Sequence, residues 1–170
     1  MPRVRFGTIG CMLISLASLA ASQDTLSGSA LARSIEGATD DAARAALIEQ
    51  VKGLAPPEAE SFVQWATDRW EDGGWEHLAP ALARTDRDDA AELLVRVSMD
   101  RFQTGLGTAA LEALGTMKPE QTIGLLWPMW LEHRTYFESA LVRSVAVGPT
   151  AGLAVLQEEA RAAAAELGPR

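Results

Sequence analysis

From about residue 29 to residue 167, apolar residues recur every three to four positions, the period that gathers them on one face of a helix. No stretch sustains the alternation and β-branched enrichment of a strand. Alanine and leucine dominate, and both favour helix. The pattern predicts an all-α fold cut into short helices by polar residues, glycines and prolines.

SALARSIEGA (29–38) reads as a first short helix, and Thr39-Asp40-Asp41 precedes AARAALIEQV, which ends at Gly53. Pro56-Pro57 suit the first turn of EAESFVQWATDRW, where a missing N–H costs nothing. Asp72-Gly73-Gly74 separates that helix from WEHLAPALAR. Thr85-Asp86-Arg87-Asp88 supplies a cap and acids for DAAELLVRVSMDRF. Gly105 and Gly107 end it, and Thr108 caps AALEALGTM. Pro119 opens PEQTIGLLWPMWLEH, and Thr135 with Glu138 has capping-box spacing for FESALVRSVAV. Gly148-Pro149 leads into a last helix, TAGLAVLQEEARAAAAEL, stopped by Gly168-Pro169.

These breaks recur at a near-constant interval. Glu58, Asp89 and Glu120 fall 31 apart, and Pro119 and Pro149 fall 30 apart. Apolar positions pair at the same spacing: Leu31 with Phe62, Leu47 with Leu78, Val51 with Leu82, Val63 with Leu94 and Leu125, Leu111 with Leu141, and Leu126 with Leu156. A helical hairpin of about 31 residues, repeated four times, accounts for all of them. So short a hairpin cannot bury its apolar stripe alone, so antiparallel hairpins are expected to stack in register. In hairpin period, turn-proline placement and Ala/Leu content, residues 28–167 resemble the HEAT-like α-solenoids. The resemblance implies a curved two-layer slab, a short α-solenoid that serves as a binding scaffold.

The N-terminus departs from this pattern. In MPRVRFGTIGCMLISLASLAASQ, Arg3 and Arg5 precede an apolar run from Phe6 to about Ala21, which closes on small residues. That is the layout of a secretory signal peptide. About 16 apolar residues interrupted by glycine and serine fall short of the roughly 20 that span a bilayer. Residues 1–22 are expected to be cleaved, residues 23–39 to form a polar linker and capping helix, and residues 40–170 to form the repeat domain. The mature chain would be periplasmic or extracellular, with no stable membrane insertion. Cys11, the only cysteine, would leave with the leader, so neither disulfides nor thiolate chemistry would remain. Without Arg3 and Arg5 the chain carries 13 basic against 23 acidic residues, a formal charge of about −10. That balance disfavours nucleic acid and anionic lipid surfaces.

The candidate chemistry centres on aromatic residues. Trp65, Arg96 and Trp127 stand 31 apart, which should place them alike on neighbouring helices. A guanidinium between two indoles would form a cation–π ladder, each contact worth about 0.5–2 kcal/mol. With Met99 and Trp130 these residues form the expected face for a protein or peptide partner, although tryptophans at helical spacing equally suit a core. Trp70 and Trp75 flank the Asp72-Gly73-Gly74 turn, where two rings would fix the angle between hairpins. No zinc-protease, nucleophile-elbow or phosphate-loop motif is present. The reading is therefore non-catalytic, with no cofactor or metal. The alternative is a small periplasmic enzyme or metal-binding protein centred on His133 and Glu132, should His77 and Glu76 converge on them.

Overall fold

Asp40 caps a helix as its place in Thr39-Asp40-Asp41 suggests: its carboxylate accepts hydrogen bonds of 3.2 Å from the Ala42 and Ala43 N–H groups. The structure, a computed structural model, describes residues 27–71 and 75–166. The leader assigned to residues 1–22 and the Gly168-Pro169 stop lie outside the described residues. Among those described, the regular elements are helices: α1 (Gly28–Gly37), α2 (Asp41–Gln50), α3 (Pro56–Arg69), α4 (Ala79–Leu82), α5 (Asp88–Asp100), α6 (Gly105–Leu114), α7 (Pro119–Glu132), α8 (Arg134–Val147) and α9 (Pro149–Glu166). Short 3-10 turns, Val51–Gly53 and Trp75–His77, lead out of α2 and into α4. The fold is all-α, as the sequence predicts.

Four boundaries differ from that prediction. WEHLAPALAR is a 3-10 turn followed by the single-turn α4, because Pro80 has no N–H to offer the carbonyl four residues back. The cap of α5 is not Thr85; Arg87 holds that position and grips the Asp89 carboxylate through bonds of 2.9 and 2.8 Å. That grip keeps the Asp89 carboxyl below its ordinary pKa. Thr104, not Thr108, caps α6, its hydroxyl accepting from the Gly107 N–H at 3.2 Å. Gly105 and Gly107 therefore begin α6 rather than merely ending α5. Finally, α8 follows α7 after the single residue His133, which places Thr135 inside the first turn, and no side-chain cap forms there.

Helix contacts run in two series. One passes from α1 to α3, α5, α7 and α9, and the other from α2 to α4, α6 and α8. The pairs α5–α6 and α7–α8 tie the two together. The burial pattern explains the first series. α1 buries Gly28, Leu31, Ala32 and Ile35; α3 buries Ala59, Phe62, Val63 and Ala66; α5 buries Ala90, Leu93, Leu94 and Val97; α7 buries Pro119, Thr122, Ile123 and Leu126. Each is an i, i+3, i+4, i+7 set, one stripe along a helix. In the second series Gly107, Ala110, Leu111 and Leu114 of α6 match Phe137, Ala140, Leu141 and Ser144 of α8.

The fold is thus repeat-like, but its interval is not constant. Corresponding residues of α1, α3 and α5 lie 31 apart, whereas those of α5 and α7 lie 29 apart. Leu94 therefore matches Ile123 and not Leu125, a two-residue correction that bears on the candidate site. Polar members of the stripes are satisfied internally. The buried Thr122 hydroxyl donates to the Lys118 carbonyl at 3.1 Å and accepts from the Ser144 hydroxyl across the α7–α8 contact.

Trp75 belongs to the core rather than to a turn surface. Its ring is fully buried and its indole N–H donates to the Ala66 carbonyl at 3.1 Å. Trp70 is half-buried against the same core. The intervening residues 72–74 lie outside the described residues.

Candidate aromatic face and cleft

The side chains singled out in the sequence fall on α3, α5 and α7, consecutive members of one contact series. Trp65, Met99, Trp127 and Trp130 are half-buried and pack against the core, while Arg96 is exposed. Trp127 and Trp130, three apart on α7, bring their rings to 5.2 Å with a 32° tilt. That pair suits offset aromatic stacking.

The expected ladder of Trp65, Arg96 and Trp127 does not form. Arg69, one turn along on the same helix, places its guanidinium 4.8 Å from the Trp65 ring centre. Arg96 instead lines a groove between α3 and α5, of about 190 Å³, with Glu60, Gln64, Thr67, Asp89 and Glu92. For Trp127 the physical reason is the 29-residue interval between α5 and α7. It sets Trp127 level with Ser98, and it sets Leu125 level with Arg96.

The same shift reveals a different alignment, Trp70, Arg101 and Trp130, at the C-terminal ends of α3, α5 and α7. Arg101 lies 5.4 Å from the Trp70 ring centre, and Arg134 lies 5.2 Å from that of Trp130. Cations near helix C-termini also complement the helix dipole. Arginine and tryptophan do meet across α3 and α5, five residues beyond Arg96.

Beyond these helix ends opens a cleft of about 390 Å³, lined by Phe102 and Gln103 from the α5–α6 turn and by Glu132, His133, Arg134, Thr135 and Tyr136 from the α7–α8 junction. Its aromatic wall is a contiguous cluster. Phe102 lies 4.3 Å from Tyr136 and 5.2 Å from His133, tilted by 58° and 50°. Phe137 anchors the cluster to the core, edge-on to Tyr136 at 5.1 Å. Tyr136 donates to the Ser98 carbonyl at 3.4 Å. Burial pushes its pKa above the usual tyrosine value, against a smaller lowering by the Gln103 backbone. Gln103 has φ 58°, a left-handed conformation that costs a non-glycine residue roughly 1–2 kcal/mol.

Sequence reasoning passed over Phe102, Gln103 and Tyr136 because each stands at a helix boundary, outside any apolar stripe. Glu132 and His133 do share this cleft. His77 lies in the Trp75–His77 turn and lines none of the clefts named here. Among the described residues no group of three or more His, Cys, Asp or Glu side chains could hold a metal ion, and no helix is long and apolar enough to cross a membrane.

No protein-family model, curated protein or solved structure matches the chain.

Proposed function

We propose that this is an exported, non-catalytic helical-repeat scaffold of HEAT-like α-solenoid kind, which binds a protein or peptide partner along the α3–α5–α7 face carrying Trp65, Arg96, Met99, Trp127 and Trp130. One observation carries the reading: Trp65, Met99, Trp127 and Trp130, on α3, α5 and α7, are only half-buried, and Arg96 on α5 is exposed. An apolar strip with a polar rim is what a partner segment needs, and tryptophan and arginine are the residues that most often dominate such contacts. The acids around Arg96, Glu60, Asp89 and Glu92, favour a partner segment with basic residues of its own.

The test is to identify the partner by crosslinking the mature protein in its native envelope, then to measure its affinity for the Arg96→Ala variant. Arg96 is exposed and holds no ion pair among the described residues, so the expected result is about tenfold weaker binding, or roughly 1.4 kcal/mol, with Tm nearly unchanged. Unchanged affinity in both Arg96→Ala and Trp130→Ala would exclude this face as the binding surface.

A second reading, a small acid–base enzyme, is supported by the meeting of His133, Glu132 and Tyr136 in one cleft. It requires His133→Ala to abolish a turnover that Arg96→Ala leaves intact.

A further inference from the structure

We propose that the cleft between the α5–α6 turn and the α7–α8 junction binds a neutral saccharide, at a site separate from the partner face and adjoining it only where Arg134 covers Trp130. The rings decide the geometry of binding. Phe102 stands 4.3 Å from Tyr136 and 5.2 Å from His133, already against both rings. No cation or planar ligand can be sandwiched between them, which excludes an aromatic cage. They offer an outer wall instead, with Phe102 37% exposed. A ring with an apolar face can rest on that wall.

The rim decides the chemistry. Among the described residues the side chains of Gln103, Glu132 and Thr135 make no hydrogen bond, and the Arg134 guanidinium, which lies over the Trp130 ring, makes no hydrogen bond or ion pair. An amide, a carboxylate, a hydroxyl and a guanidinium therefore face the cleft with both donors and acceptors to offer. A ligand with adjacent hydroxyls, each both donor and acceptor, can satisfy such a set, whereas a purely apolar ligand would strip it of water. Glu132 and Arg134 offset each other in charge, so the cleft favours neither an anionic nor a cationic sugar. Its volume of about 390 Å³ lies near the lower end of small-ligand pockets, roughly 300–1,000 Å³, room for a sugar ring or two. Gln103, held at φ 58°, is one of the residues that line the cleft.

The experiment is an amide-resolved NMR titration of the mature protein with maltose, cellobiose and N,N′-diacetylchitobiose at millimolar concentration. Glucose 6-phosphate and acetyl-Ala-Trp-Ala-amide serve as comparators. The expected result is a set of shift changes confined to residues 102–103 and 132–136 with at least one neutral disaccharide, and weaker changes with both comparators. Phe102→Ala should weaken binding about three- to tenfold, the range of one aromatic contact. Gln103→Gly should weaken it similarly without lowering Tm, because glycine adopts φ 58° freely. Arg96→Ala should leave it unchanged, so this site and the partner face can fail independently. The proposal is overturned if none of the three disaccharides shifts these amides, if either comparator binds there as tightly, or if Gln103→Gly binds like the parent.

Discussion

Replacing Trp75 with alanine is expected to lower the unfolding free energy by about 3–5 kcal/mol, the range for truncating a buried tryptophan or phenylalanine. The ring is only 1% exposed and lies between α3 and α4, where its indole N–H also ties the chain back to the Ala66 carbonyl. Total stabilities of about 5–15 kcal/mol make this a loss of roughly a fifth or more. α4 has a single turn of its own and cannot close over the resulting cavity without moving α2 and α6, both of which it contacts. Urea denaturation measures the effect through the midpoint at constant slope. Trp75→Phe keeps most of the apolar surface and should cost less than half as much. A loss below about 1 kcal/mol for alanine would mean that the α3–α4 connection does not depend on this ring.

The second large effect is expected at Gly107, and it is best seen against Gly105 in the same helix. A Cβ on Gly107 would stand 2.3 Å from the Arg101 carbonyl oxygen and 2.6 Å from the Tyr136 hydroxyl. The first of these is backbone and cannot swing away, so Gly107→Ala should destabilise by about 1–3 kcal/mol, the range for overpacking. A Cβ on Gly105 would meet nothing within 4 Å. Gly105→Ala should therefore be neutral or stabilising by up to about 1 kcal/mol through helix propensity alone. Thermal unfolding of the two variants side by side gives the contrast, and equal shifts in Tm would contradict the packing described here. Because Gly107 abuts Tyr136, its substitution should also disturb the aromatic wall of the cleft.

Helices were legible wherever a local signal was strong. Asp40, Pro56, Pro119 and Gly148-Pro149 mark starts that the structure keeps. The apolar stripes were legible too, since Leu31, Phe62 and Leu94 hold corresponding buried positions. What sequence could not supply was the interval between α5 and α7. Leu125 and Ile123 are equally apolar, and only burial shows that Ile123 is the core residue. That two-residue difference moved Trp127 out of line with Arg96 and brought Trp130, in place of Glu132, into line with Arg101 and Trp70. The cleft was hidden for another reason. Its wall joins Phe102 to Tyr136 across 34 residues, and both fall at boundaries where no periodic pattern distinguishes them. Local capping chemistry also misled, because Thr108 looks as good a cap as Thr104 until the close approach of Gly107 to the α5–α6 turn is known.

The proposed partner face depends on α1, α3, α5 and α7 standing in line as one layer of an open stack. Pairwise spin-label distances among Arg33 on α1, Gln64 on α3 and Gly124 on α7, in a Cys11→Ser background, test that arrangement directly. Arg33 and Gln64 correspond in register, and Gly124 occupies the same position two helices beyond Gln64. With neighbouring axes about 8–10 Å apart, the Gln64–Gly124 separation should be about twice, and Arg33–Gly124 about three times, the Arg33–Gln64 separation. A value for Arg33–Gly124 no larger than that for Arg33–Gln64 would mean the helices close into a bundle, and the account would be wrong.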